Sequence, residues 1–179
     1  MTSTLSTIKN GLLALAVAAA AAAGLAATAP AATAAVTAPA VARPASATFN
    51  PVDAANLGLT RVGQHGGQCK QWVNDIFREA SHGQVNLGGG YFSDYAREGG
   101  GRINAGNAWR GDIIQLNNPG NRDGYYNGMH TAIIVSNLGS GNYDVVDSNY
   151  SLNEIIGHHT WNPFTSATRN GLEVNVWRF

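Results

Sequence analysis

The chain has 179 residues, with eleven basic and eleven acidic side chains and no formal net charge. That length suits one ordinary domain. The charge balance excludes a basic nucleic-acid groove, which needs clustered Lys and Arg.

The first 47 residues differ from the rest. They hold no Asp or Glu, and their only charges are Lys9 and Arg43. Lys9 is followed by an apolar stretch from Gly11 to Ala27, the charged n-region and h-region of a secretory signal peptide. Alanine dominates the stretch, whereas Leu and Ile normally hold a helix in lipid, so removal is favoured over retention as an anchor. Ala-x-Ala sites occur at Ala27-Thr28-Ala29, Ala32-Thr33-Ala34 and Ala45-Ser46-Ala47. The last lies just ahead of the change in composition, which places the mature start near Thr48. The expected division is therefore 1–47, signal peptide and Ala/Pro/Thr-rich segment, and 48–179, one folded domain. The expected destination is secreted or extracellular, with no membrane association after signal removal. Residues 48–179 keep nine basic against eleven acidic side chains, a net charge of −2, and Lys70 is their only lysine. Nothing there asks for a nucleic-acid partner. A domain of this size can bury about two thirds of its unfolded surface, enough for a real core.

Cys69 is the only cysteine. An odd cysteine in a secreted chain points to intermolecular pairing or a reactive thiol, with a buried inert thiol as the alternative. Gly66-Gly67-Gln68 leads into a run with apolar residues at Cys69, Trp72, Val73, Ile76, Phe77 and Ala80. That spacing predicts an amphipathic helix over 69–80, ended by Ser81-His82-Gly83. Cys69 then falls in the first turn, where free N–H groups and the helix dipole favour a thiolate.

A thiolate nucleophile needs a histidine within reach and a third group to hold the ring. His65 sits in the glycine-rich lead-in, and His82 is read as a residue of the helix end. His158 and His159 are adjacent on a strand and point to opposite faces. His130 opens a strand over Met129–Ser136, after the loop Asn117–Gly128. The turn Leu138–Asn142 joins it to a second strand, Tyr143–Asn149, as a hairpin. At the far end Asp147 and Asn149 return level with His130, and residues i and i+2 share a face. Either can hold the ring nitrogen, or both are turn-formers at a strand end.

The segments Gly67-Gln68-Cys69, Trp109–Ile114, His130–Val135 and Val146–Tyr150 occur in an order that resembles the CHAP domain (cysteine, histidine-dependent amidohydrolase/peptidase), of the NlpC/P60 group, over roughly residues 60–179. The resemblance implies a papain-like α+β fold, an N-terminal nucleophile helix packed on an antiparallel β-sheet. It implies cleavage of a peptidoglycan amide, either the N-acetylmuramoyl-L-alanine bond or a bond of the peptide cross-bridge. Carried over, Cys69 is the nucleophile and His130 the base. Asn149 is preferred as the ring-orienting residue with Asp147 supporting, because Asp147 is one methylene shorter than the family's usual Glu. Gln68 and the Cys69 backbone N–H line the oxyanion site. Some members carry an acidic calcium loop before the helix; residues 60–67 hold no carboxylate, so no metal and no cofactor are expected. The resemblance thus makes 48–179 a CHAP-like catalytic domain, secreted, extracellular or cell-wall associated, and the expected state is a monomer with peptidoglycan as its partner.

Tyr91, Trp109, Tyr125, Tyr126 and Trp161 are candidates to floor a substrate groove, against the plainer reading as core or surface. Trp161 and Trp177 lie on expected strands and are read as packing. Three alternatives compete: a non-catalytic wall-binding or secreted interaction protein on the same fold, a transglutaminase-like acyl-transfer enzyme, and a zinc site from His130, His158 and His159. The last lacks the spacing of zinc motifs.

Overall fold

The computed structural model describes residues 49–179. The expected signal segment and cleavage site lie outside the described residues. The described chain is α+β, with a six-stranded sheet in which every pairing is antiparallel.

Helix α1 spans Pro51–Thr60. Its start is set by Asn50, whose side chain accepts the Val52 N–H at 3.2 Å, and by Pro51 at the first helical position. Helix α2 runs Cys69–Ala80, the span its apolar spacing predicts. A short helix α3, Ser93–Arg97, precedes strand β1, Gly101–Ile103. Then come β2 (Ile113–Asn117), β3 (Thr131–Gly139), β4 (Asn142–Ser148) and β5 (Ile156–Trp161). Helix α4 (Pro163–Asn170) and strand β6 (Glu173–Arg178) complete the chain. The strand order is β1-β6-β2-β3-β4-β5.

The sheet buries both faces. On one face Trp72, Val73, Ile76 and Phe77 of α2 and Ala54 and Ala55 of α1 pack with Ile113, Ile133, Val146 and Trp177. On the other, Ile114, Ala132, Ile134, Val145 and Trp161 pack with Ala167 of α4. Alternation along β3 and β4 divides the two sets. Asp147 shares its parity with Tyr143 and Val145, on the α4 face, whereas α2 lies on the opposite face. The two meet only at the end of the sheet.

The β3–β4 ladder differs slightly from the expected hairpin. Strand β3 begins at Thr131 and β4 ends at Ser148, so His130 and Asn149 sit just beyond the pairing. Among the described residues no helix is long and apolar enough to cross a membrane.

Candidate active site

Two glycines deliver Cys69 to the sheet end. A Cβ on Gly66 would lie 2.6 Å from Ile156 Cγ1, 2.6 Å from Ser148 Oγ and 2.8 Å from Trp72 Cδ1, so only glycine fits. Gly67 takes a positive φ of 72°. Its carbonyl accepts the Ser148 hydroxyl at 2.7 Å, which ties the start of α2 to the end of β4. Lys70 is buried beside Cys69, and its Nζ donates to the Leu87 and Gly88 carbonyls at 3.2 and 3.1 Å. Burial pulls the Lys70 pKa down to about 8, against the pull of Asp94 and Cys69.

His130 meets Cys69 from the strand side. Burial alone would raise the Cys69 pKa, but hydrogen bonding and charge from His130 outweigh it and hold the thiol below its ordinary value. His130 Nε2 lies 2.8 Å from Asp147 Oδ2, which leaves Nδ1 as the ring nitrogen for the sulfur. Burial works against the His130 cation, yet Asp147 and Cys69 together push its pKa up to about 9. Asp147 is fully buried, and although burial disfavours its charge, His130 and His159 hold its pKa below the ordinary carboxylate value. The line thiol–imidazole–carboxylate therefore favours a thiolate–imidazolium pair.

Asn149 does not hold the ring, which corrects the preference for it. It leaves the strand in a left-handed conformation, φ 64°, so the i, i+2 alternation ends at Ser148. Its Nδ2 donates to Gln68 Oε1 at 3.1 Å, and its Oδ1 accepts the Glu154 N–H at 3.0 Å. Gln68 in turn donates from Nε2 to Glu154 Oε1 at 2.9 Å, and His65 Nε2 meets Glu154 Oε2 at 2.9 Å. Asn149, Gln68 and Glu154 thus fasten the 149–154 loop to the start of α2.

A cleft of about 620 Å³ opens over Cys69 and His130. Gln68, Tyr91, Tyr125, Asn149, Tyr150 and Trp161 are among its walls, and its lining contains no acidic side chain. Leu152, 87% exposed, stands at its rim. Trp161 does two jobs, packing in the α4 core and presenting its ring to the His130 edge at 5.3 Å between centroids.

Trp109 is not part of the cleft, a second correction. Its ring lies under the Arg178 guanidinium, 4.1 Å from the centroid, and remains 59% exposed. Arg178 is fixed by the fully buried Asp112, at 2.9 and 2.7 Å, and Asp112 also accepts the Trp109 N–H at 2.7 Å. Gly111 permits the turn: φ is 92°, and a Cβ there would lie 2.4 Å from the Pro51 carbonyl. The Trp109–Asp112 segment builds the entry to β2. Tyr126 is also outside the lining.

Two residues that the pattern of the sequence left aside belong here. His159 Nε2 lies 3.0 Å from Asp147 Oδ2. The Tyr150 ring packs 4.1 Å from the His159 ring and 5.4 Å from His130. The signal for His159 was its shared parity with Trp161, but the register of β4 on β5 is needed to use it. His158 is exposed on the opposite face of β5. Among the described residues no three His, Cys, Asp or Glu side chains are grouped to hold a metal ion.

No family model matches the chain, and no curated protein matches it in sequence. Among solved structures, it is similar to a chain of the type VI native effector–immunity complex Tae3-Tai3 from Ralstonia pickettii. The identity is 16% over 73% of this chain and 99% of that one, with a TM-score of 0.48. It is similar to Ly7917 at 14% identity, over 71% of this chain and 61% of that one, with a TM-score of 0.47. Ly7917 with the hydrolyzing product of MDP gives 16% identity, 71% and 62% coverage, and a TM-score of 0.46. The chain therefore spans about three fifths of Ly7917. The chemistry of the site rests on its own side chains.

Proposed function

We propose that this chain is a secreted cysteine hydrolase of the CHAP type on a papain-like fold, cleaving an amide bond in peptidoglycan. The observation that carries the reading is the line Cys69–His130–Asp147, which starts at a helix N-terminus and opens into a cleft. The Cys69 thiolate attacks the amide carbonyl, and the backbone N–H of Cys69, at the first position of α2, donates to the developing oxyanion. The Gln68 side chain, bonded to Glu154 and Asn149, walls the cleft beside it instead of serving as the expected oxyanion donor. His130, held through Nε2 by Asp147, gives its Nδ1 proton to the leaving amine. Water then enters, His130 takes its proton, and the thioester is hydrolysed to the free acid.

The substrate class follows from two features. The order of the Gly67-Gln68-Cys69, Trp109–Ile114, His130–Val135 and Val146–Tyr150 segments supports a peptidoglycan amide. The open cleft, with aromatic walls and no acidic group in its lining, suits a segment of a polymer that carries carboxylates. The test is digestion of purified peptidoglycan by wild type and Cys69→Ala. Wild type is expected to release amines, and the masses of the fragments identify the bond. Equal release by both proteins, or none by a folded wild type, overturns the reading.

A further inference from the structure

Asp147 serves two imidazoles, and the reaction uses one. His130 Nε2 and His159 Nε2 meet the same oxygen, Oδ2, at 2.8 and 3.0 Å. The other oxygen, Oδ1, is buried and has no hydrogen-bond partner among the described residues. The hydrogen bonds that orient this carboxylate therefore come from the two rings. If His130 were its sole partner, the carboxylate would turn with the ring that it has to hold. His159 supplies the second, independent bond.

The sheet makes this arrangement possible. Gly157 pairs with Asp147 in the β4–β5 ladder, and this register sets His159 beside Asp147. A Cβ at Gly157 would make only ordinary contacts, 3.7 Å from His159 Cδ2 and 3.9 Å from Asp147 Oδ1, so the strand pairing places the ring. His159, two residues on, leans back diagonally to Oδ2. Tyr150 packs on its ring and reaches the edge of His130 as well. His159 does not line the cleft over Cys69; it lines a separate depression on the β5 side, with Asp147, Gly157 and His158.

We infer that His159 is a positioning residue for the site, fixing the Asp147 carboxylate so that Oδ2 holds His130 Nε2 and leaves Nδ1 aimed at Cys69. This rests on the cysteine-hydrolase reading. His159 acts through Asp147 and touches neither substrate nor thiol. The bond is strong enough to raise the proton affinity of His159 above that of an ordinary histidine, against partial burial and the repulsion of the His130 cation.

The test compares His159→Gln, which keeps an N–H donor at similar reach, with His159→Met, which keeps the length and loses the donor. Three quantities are measured on each purified protein: kcat and KM on peptidoglycan fragments, the rate of Cys69 alkylation by iodoacetamide at neutral pH, and Tm. His159→Met is expected to lose on the order of tenfold in kcat with KM unchanged, the effect of one charge-assisted hydrogen bond. His159→Gln is expected within about threefold of wild type. The alkylation rates are expected to follow the same order, since a loosely held His130 stabilises less thiolate. Equal losses in both variants mean packing alone, and wild-type rates in both mean no role; either overturns the inference. The alkylation series needs no substrate. If wild type fails to cut peptidoglycan while the alkylation order holds, the hydrolase reading falls and the positioning role stands.

Discussion

His130 Nε2 and Asp147 Oδ2 are 2.8 Å apart, and that contact sets the charge state of the whole site. The carboxylate is fully buried, so its negative charge is poorly screened and acts chiefly on the two rings that touch it. The consequence for Cys69 is indirect. A histidine that keeps its proton above neutrality stands beside a thiol that loses its own early.

The pH dependence follows from this pair. The active form carries a proton on His130, whose pKa is raised to about 9, so activity falls as pH rises through about 9. Asp147→Asn removes the negative charge that favours this proton. The His130 pKa then drops, and the alkaline limb of kcat/KM moves to lower pH. At neutral pH kcat is expected to fall on the order of a hundredfold, since the ring also loses its anchor. A kcat/KM profile from pH 5 to 10 on both proteins checks the direction; an unmoved alkaline limb contradicts the assignment of Asp147.

Asn149→Ala should behave differently. It removes the bonds to Gln68 and to the Glu154 N–H and places alanine at φ 64°. A loss of about 1–3 kcal/mol in stability is expected, from the strained conformation and the unpaired loop. The alkaline limb should stay where it is in wild type. Urea denaturation and the same pH profile separate this from Asp147→Asn.

Gly66→Ala tests how α2 is delivered. The added methyl meets Ile156, Ser148 and Trp72 at 2.6 to 2.8 Å, and these belong to the packed sheet end. Overpacking of this kind costs about 1–3 kcal/mol. Thermal denaturation should show the loss, and the rate of Cys69 alkylation should fall with it as the first turn shifts away from His130.

Trp109→Ala should leave catalysis alone. Its ring interacts with Arg178 on the outside of the β2 entry, away from the cleft. Stability should fall by about 0.5–1 kcal/mol, the worth of an exposed cation–π contact. Unchanged kcat and KM on peptidoglycan fragments are expected; a severalfold rise in KM would place the ring in the substrate path.

The sequence made some of this legible and hid the rest for definite reasons. Helix α2 was readable because its apolar stripe is strong and its end is marked by Ser81-His82-Gly83. The β3–β4 hairpin was readable because a short glycine-containing turn joins two β-branched runs. That reading brought Cys69, His130 and Asp147 together as candidates. Helices α1 and α4 lack such a stripe, and their signals were the Asn50-Pro51 and Asn162-Pro163 starts. The choice between Asp147 and Asn149 turned on one backbone angle at Asn149, and local pattern does not encode it. The placement of His159 depends on the pairing of Asp147 with Gly157, across a loop. Trp109 was misplaced because its partner Arg178 comes from the last strand, and only the β2–β6 pairing brings the two together.

The central claim is that Cys69 is the nucleophile, and its being the only cysteine makes a direct measurement possible. The purified protein is treated with iodoacetamide for increasing times, and each sample is divided between intact-mass analysis and a peptidoglycan amine-release assay. Activity should fall in proportion to the alkylated fraction and reach zero at one adduct per chain, with substrate slowing the modification. A fully alkylated, folded protein that still releases amines at the wild-type rate would contradict the account.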